Sequence, residues 1–220
     1  MTPISQAQLQ DPSKASSIVE SIFEKGYQLI KESRNWTLKY TNDNILTRYI
    51  KLPKDSHKYY QRCSLHKDVT YDQLRELLFV NHTMNQPKYT NLLEEAVFLS
   101  KLTAESEIYW LGFQTPILSY SREFIQLIAT RETGRRFMVV SQPVDYPNMK
   151  PRKGYVRGKY QSWESVEELE DGTVEWICIS QGSGGGYVPG FIADYYVGRD
   201  LHQNVLGVLK TIQQDNIKEK

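Results

Sequence analysis

The stretch TVEWICISQGSGGGYVPGFIADYY, from Thr173 to Tyr196, decides the fold of this chain. Its opening TVEWICISQ is rich in β-branched and aromatic residues, which predicts a strand. Four glycines follow, and such a run indicates a tight turn, a close backbone approach or a hinge: Gly182, Gly184, Gly185 and Gly186. Apolar residues then recur on one stripe at helical spacing: Ile192, Tyr195, Leu201, Val205, Val208 and Ile212. The stretch therefore predicts a last strand and a long C-terminal helix, with Pro189 suited to its first turn.

The segments before this stretch predict a helix followed by a succession of strands. Apolar residues at helical spacing predict a first helix over 16–33, and Thr70 can cap a short helix over 71–80. Alternating or β-branched runs predict strands at 36–40, 45–52, 59–65, 96–102, 107–113, 123–130, 135–144, 155–163 and 173–181. Because most connections are hairpins, we expect an α+β protein with a curved antiparallel sheet that wraps around the C-terminal helix. A cavity remains between them wherever the inward side chains do not fill the space.

The composition is that of an ordinary globular protein, with 40% apolar and 24% charged residues. A formal net charge of +1 gives no electrostatic basis for binding nucleic acid. No apolar run approaches the roughly 20 residues of a membrane span, and the N-terminus lacks the apolar core of a signal peptide. We therefore expect a cytoplasmic monomer with a polar, loosely ordered tail over residues 1–12 and a single domain over residues 13–216.

The sequence contains no pattern typical of a metal centre or a catalytic nucleophile. Cys63 and Cys178 lie far apart, and neither they nor the four histidines have metal-ligand spacing. No G-x-S-x-G motif is present. We therefore predict a protein without metal or cofactor that is not an enzyme, and we keep an enzyme with a substrate cavity as an alternative.

Several segments together resemble the START domain, the fold of the steroidogenic-acute-regulatory-related lipid transfer proteins. They are EIYWLGFQTPILSYSREF (107–124), RRFMVVSQPVDYPNMKPRKGYVRG (135–158), LEDGTVEWICISQGSGGGYVPGFI (169–192) and the closing helix. They keep the order and spacing of that family, and with the preceding elements the resemblance covers roughly residues 16–214. Within the family, the phosphatidylcholine transfer group is the most similar to two of these segments, EIYWLGF (107–113) and SREF (121–124).

The resemblance implies a helix-grip fold that holds one lipid in an internal tunnel. In the phosphatidylcholine transfer group three aromatic rings surround the choline, and Trp110, Phe124 and Tyr160 match those positions. Aromatic faces attract a quaternary ammonium most strongly where water is excluded. The resemblance also implies lipid contacts from Leu111, Ile128, Ile192 and Tyr195. Sterol-binding members often carry an acid and an arginine where this chain has Leu111 and Ile128, which favours a phospholipid.

The resemblance further implies a gate made of the C-terminal helix and the loop at about 114–121. The glycine-rich connection would let that helix tilt, with the hinge at Gly184, Gly185, Gly186, Pro189 and Gly198. Apolar residues at the gate would enter the membrane interface: Phe191, Tyr196, Ile117 and Leu118.

Together these features predict a carrier of one glycerophospholipid, with phosphatidylcholine favoured, that meets membranes only transiently. Besides the enzyme named above, two alternatives stay open. One is a lipid-sensing regulatory module that binds a lipid without exchanging it between membranes. The other is a carrier of a sterol or a fatty acid.

Overall fold

The computed structural model describes residues 1–53, 55–90, 92–115, 120–186, 188 and 190–218. The side chains of residues 190–200 and 218 lie outside that description. In chain order the elements are β1 (Ile4–Ser5), α1 (Gln6–Leu9), α2 (Pro12–Ser33), β2 (Thr37–Asn42), β3 (Ile45–Ile50), β4 (Tyr59–His66), α3 (Tyr71–Leu78), α4 (His82–Asn85), a 3₁₀ turn (Gln86–Lys88), β5 (Leu93–Thr103), β6 (Ser106–Phe113), β7 (Ser121–Thr133), β8 (Arg136–Asp145), β9 (Tyr155–Arg157), β10 (Lys159–Glu168), β11 (Val174–Ser183) and α5 (Gly190–Lys218).

Nine strands form one continuous antiparallel path in the order β2-β3-β4-β11-β10-β8-β7-β6-β5. Every neighbouring pair is a hairpin except β4–β11 and β8–β10, so the last strand joins the first three to the rest of the sheet. Two short strands pair in parallel off this path, β1 with β8 and β9 with β7. The predicted antiparallel sheet with a long C-terminal helix is confirmed.

The sheet carries a separate hydrophobic core on each face, because successive side chains of a strand point to opposite sides. The outer face packs against α2 through residues such as Phe23, Ile125 and Trp163. The inner face packs against α3 and α5 through residues such as Leu74 and Val205. Both faces of the central strands are therefore apolar, and none of the described helices is long and apolar enough to cross a bilayer.

The N-terminal residues are more ordered than the loose tail expected from their polarity. Ile4 pairs with Val144 of β8, and Leu9 at the end of α1 is buried in the outer core. The side chain of Asp11 accepts hydrogen bonds from the backbone N–H groups of Ser13 and Lys14 and caps α2. The first long helix consequently begins at Pro12 rather than at the expected Ser16.

The second half of α5 is firmly seated on the 3₁₀ turn and the residues that follow it. Val205 and Val208 are fully buried, and the Thr211 hydroxyl donates to the carbonyl of Lys88 over 3.2 Å. Gly207 lies against the carbonyl of Tyr89, where any Cβ would overlap that oxygen. The absence of a side chain at Gly207 thus sets how closely α5 approaches the rest of the inner core.

Candidate functional site

Three aromatic rings cluster on the inner face of the sheet. The Phe124 ring lies 5.0 Å from Tyr160 and 5.5 Å from Phe113, centroid to centroid, and both pairs are edge-to-face. Phe124 faces inward on β7, Tyr160 on β10 and Phe113 on β6. We call Phe113, Phe124 and Tyr160 the inner aromatic cluster. It brings together two of the three rings that the resemblance assigned to a choline cage.

Trp110, the third ring, lies on the opposite face of the sheet. Its indole N–H donates to the Glu123 carboxylate over 2.9 Å, and the ring belongs to the outer core. The guanidinium carbon of Arg152 stands 3.6 Å above the Trp110 ring centroid, and Tyr155 packs edge-on at 5.5 Å. The Arg152 guanidinium therefore occupies the face of the Trp110 indole. Trp110 does not form one cage with Phe124 and Tyr160.

Glu123 is the centre of this outer arrangement. Its side chain is fully buried and also accepts from the Arg157 guanidinium, with Nε at 2.8 Å, and from the Arg152 backbone N–H at 3.1 Å. Arg152 forms a further ion pair with Glu95 at 2.8 Å. Two cations of the basic segment PRKGYVRGK thus hold the loop before β9 to the outer face.

Leu111 and Ile128 lie on the inner face. Both are buried in the core that packs against α3 and α5. Leu111 sits opposite Phe124 across the β6–β7 pair, so these apolar side chains border the inner aromatic cluster. The inner surface near the cluster therefore combines these apolar side chains with the buried polar residues Arg122 and Gln126, which flank Phe124 on the same side of β7.

A buried polar group that sequence reasoning missed lies further along the inner face. The Arg62 side chain is 1% exposed, and its Nη2 donates to Glu164 Oε1 over 2.9 Å. The Trp176 indole N–H donates to the same oxygen over 2.8 Å, and the Arg62 guanidinium carbon lies 3.8 Å from the Trp176 ring centroid. We call Arg62, Glu164 and Trp176 the inner polar cluster. Its signal in the sequence is a charge inside an apolar strand, YYQRCSL.

The inner side of β10 is less completely packed than its outer side. Tyr160, Ser162 and Glu164 keep part of their surface accessible, whereas the alternating outer residues Gln161 and Trp163 are buried. Burial is nevertheless the main cause that raises the pKa of the Tyr160 hydroxyl well above its usual value. Tyr160 therefore combines a desolvated hydroxyl with a side chain that is only partly buried.

The glycine-rich connection contains one position with a strict backbone requirement. Gly185 has φ +68°, and a Cβ there would overlap the carbonyl of Arg157. Gly186 also has a positive φ, +61°, whereas a Cβ at Gly184 would meet its nearest atom at 3.5 Å. The turn therefore needs glycine at 185 for shape, and alanine fits at 184.

Several of the expected gate residues cannot be placed. Ile117, Leu118 and Pro189 lie outside the described residues. The same holds for the side chains of four residues in the first half of α5: Phe191, Ile192, Tyr195 and Tyr196. Gly198 lies within the helical backbone of α5, in the part whose surroundings are not described.

Both cysteines and His82 are buried. Burial raises the pKa of the Cys63 thiol to about 11 and that of Cys178 to about 12, so both stay protonated at neutral pH. His82 is buried, with Nδ1 2.6 Å from the Leu78 carbonyl, and burial lowers its pKa. Within the described ranges, no three His, Cys, Asp or Glu side chains are grouped so that they could hold a metal ion.

The fold is that of known lipid transfer domains. Human StAR-related lipid transfer protein 5 superposes with a TM-score of 0.83, covers 94% of this chain and 100% of its own, and is 15% identical. Human STARD10 gives 0.76 over 86% of this chain and 78% of its own, at 16% identity. A STAR-related lipid transfer protein from Xanthomonas axonopodis gives 0.68 over 81% and 98%, at 15% identity. These likenesses show that the chain has the expected helix-grip fold.

Sequence comparison identifies the family without giving an activity. No curated protein matches the chain. The model of a family described as "Protein of unknown function (DUF3074)" matches residues 59–212, which span β4 to the second half of α5 and so contain both inner clusters. The chain therefore belongs to the DUF3074 family.

Proposed function

We propose that this protein is a carrier that holds one lipid between the inner face of the sheet and α5. The observation that carries the proposal is the inner side of β10, where Tyr160, Ser162 and Glu164 keep accessible surface although the Tyr160 hydroxyl is desolvated. Apolar side chains lie on the same face of the sheet, among them Leu111 and Ile128. A mostly apolar enclosure with a few polar groups is typical of sites for small apolar ligands.

The favoured ligand is a glycerophospholipid with a choline head group, and the inner aromatic cluster is its proposed head-group site. Phe124 and Tyr160 stand together there, and Phe113 takes the third place that the resemblance assigned to Trp110. A quaternary ammonium neither donates nor accepts a hydrogen bond, so ring faces in a desolvated pocket are its natural partners.

Transfer between membranes requires that the site opens only at a membrane surface. Burying a methylene is worth about 0.8 kcal/mol against water, so two acyl chains gain on the order of 20 kcal/mol, and a bilayer offers nearly the same. The second half of α5 is seated on the 3₁₀ turn through Gly207 and Thr211. We propose that the first half of α5 opens, with the membrane contacts at Phe191, Tyr196, Ile117 and Leu118.

A vesicle-transfer assay with a fluorescent phosphatidylcholine tests this proposal. The wild-type protein is expected to speed transfer from donor to acceptor vesicles in proportion to its concentration. Phe124→Ala is expected to slow it at least about tenfold, because it opens the centre of the inner aromatic cluster. Tyr155→Ala removes a ring from the outer face and serves as the matched control. Equal rates with and without wild-type protein would overturn the carrier, and binding without transfer would instead favour a lipid sensor.

A further inference from the structure

Arg62 has two N–H groups that the protein does not satisfy. Its Nη2 donates to Glu164, but Nε and Nη1 are fully buried and have no partner among the described residues. Buried donors are nearly always paired, and an unpaired one is costly because it has lost its bonds to water. Arg62 is on the inner face, opposite Cys178 of β11, which in turn lies opposite Glu164 of β10. The free donors therefore lie on the same face of the sheet as the proposed lipid.

The charge of Arg62 is already balanced by its partner. Glu164 Oε1 accepts from both Arg62 and Trp176, and the guanidinium stacks on the Trp176 ring. A second anion here would leave a net negative charge in a desolvated place, which is strongly unfavourable. The two donors thus match uncharged acceptor oxygens better than a phosphate or a carboxylate.

Tyr89 supplies a second, independent unpaired group in the same region. Its hydroxyl is buried without a partner in the described part of the chain. Tyr89 belongs to the inner core together with Trp176, and Tyr160 packs against the same core. Burial raises the pKa of the Tyr89 hydroxyl well above its usual value. Arg62 and Tyr89 come from β4 and from the segment after the 3₁₀ turn, so two separate elements contribute unpaired groups to the inner side of the sheet.

The distance from the inner aromatic cluster indicates which part of a lipid would meet these donors. Tyr160 and Glu164 lie on the same side of β10 and four residues apart, which is roughly 13 Å at about 3.3 Å per residue. An extended phosphocholine head group spans a comparable distance between its ammonium and the ester bonds of the glycerol. A lipid whose head group lies at Phe124 would therefore bring its ester carbonyls to Arg62.

We propose that Arg62, held by Glu164 and assisted by Tyr89, is a binding subsite for the uncharged ester carbonyl oxygens of a glycerolipid. The inference rests on the proposed lipid carrier and deepens it. Arg62 Nε and Nη1 donate to the carbonyls, and the Tyr89 hydroxyl donates to the same group of oxygens. The subsite recognises the backbone linkage of the lipid and not its charge.

The test compares two probes that differ only in the carbonyl oxygens. Full-length protein is mixed with vesicles of diacyl phosphatidylcholine or of the matching dialkyl-ether phosphatidylcholine, and bound lipid is measured by mass spectrometry after the vesicles are removed. We expect the wild-type protein to bind the diester at least about tenfold more tightly, which corresponds to about 1.4 kcal/mol. The double variant Arg62→Met/Glu164→Gln is expected to bind both lipids equally, because it removes the donors without leaving a buried charge.

Two further variants protect the result from a folding artefact. Arg157→Met/Glu123→Gln removes a comparable buried ion pair from the outer face and is expected to keep the diester preference. Tyr89→Phe deletes only the unpaired hydroxyl and is expected to reduce the preference about threefold or more. If the wild-type protein binds diester and ether lipids equally, the subsite is refuted while the carrier stands. If it binds neither, the carrier itself is refuted and the subsite with it.

Discussion

Trp110 stabilises a buried carboxylate, because its indole N–H donates to Glu123 and its ring carries the Arg152 guanidinium. We expect Trp110→Phe to lower the free energy of unfolding by about 2–3 kcal/mol, since it removes a donor from a buried charge. Urea unfolding measures this loss. Binding of phosphatidylcholine by the folded fraction is expected to stay unchanged. Normal stability with lost lipid binding would instead assign Trp110 to the head-group site.

His66, next to the inner polar cluster, gives a prediction for how the stability of the protein depends on pH. Burial, with a smaller contribution from the positive charge of Arg62, lowers its pKa from the usual 6.5 to about 4. Between pH 6.5 and 4, His66 therefore binds a proton in the unfolded chain but not in the folded protein. The free energy of unfolding consequently falls as the pH is lowered through this window. His66→Gln is expected to make that fall shallower in urea unfolding between pH 4 and 7. An unchanged slope would show that His66 titrates normally in the folded protein.

Two features of single residues could not be predicted from the sequence: which face of β6 meets α5, and the burial of Arg62. Alternation predicts that Leu111 and Phe113 share a face of β6 and that Trp110 lies on the other. It does not say which face meets α5, because both sets are apolar and the sheet is covered on both sides. The role of Arg62 was missed for a related reason, although its charge within the strand YYQRCSL was a signal. Only the tertiary fold shows that this charge is buried against Glu164 and Trp176 rather than exposed at a sheet edge.

At the scale of elements, the connection between β11 and α5 contains a turn that requires glycine at one position and accepts a side chain at another. Gly185 has a positive φ and no room for a side chain, whereas Gly184 has space. We expect Gly185→Ala to cost about 1–3 kcal/mol of stability and Gly184→Ala less than about 1 kcal/mol. Thermal unfolding of the two variants measures the difference, and equal losses would contradict this account of the turn.

The same pair of variants separates a hinge from a turn. If the connection lets α5 tilt, Gly184→Ala is expected to keep the fold and slow vesicle transfer, because alanine restricts the backbone at that residue. Unchanged transfer by a stably folded Gly184→Ala protein would place the opening motion elsewhere in the chain.

The elements themselves were largely predictable from the sequence, for physical reasons. The C-terminal helix and the hairpin strands have strong periodicity, and both were confirmed. The short N-terminal strand and α1 were missed because their few apolar residues, Ile4 and Leu9, find partners only in the folded sheet. The pairing of β1 with β8 is a long-range contact, so a local sequence pattern does not predict it.

At the scale of the whole molecule, the two faces of the sheet have different roles. The outer face packs against α2 and carries the ion pairs around Glu123. The inner face combines an apolar core with unsatisfied donors at Arg62 and Tyr89. Buried amides at Gln61 and Gln142 are also unpaired on the outer face, so unpaired donors alone do not distinguish the two faces. We propose the inner face as the binding side because its donors at Arg62 and Tyr89 lie on the side of the sheet that carries the inner aromatic cluster.

The most direct test of this account is the native mass of the protein purified without detergent, followed by identification of any lipid released on denaturation. The account predicts a mass increased by one glycerophospholipid per chain, and loss of that lipid in Phe124→Ala. An empty protein that takes up no lipid from phosphatidylcholine vesicles would contradict the central claim. A bound sterol or single-chain lipid would retain the carrier and contradict both the choline site and the ester subsite.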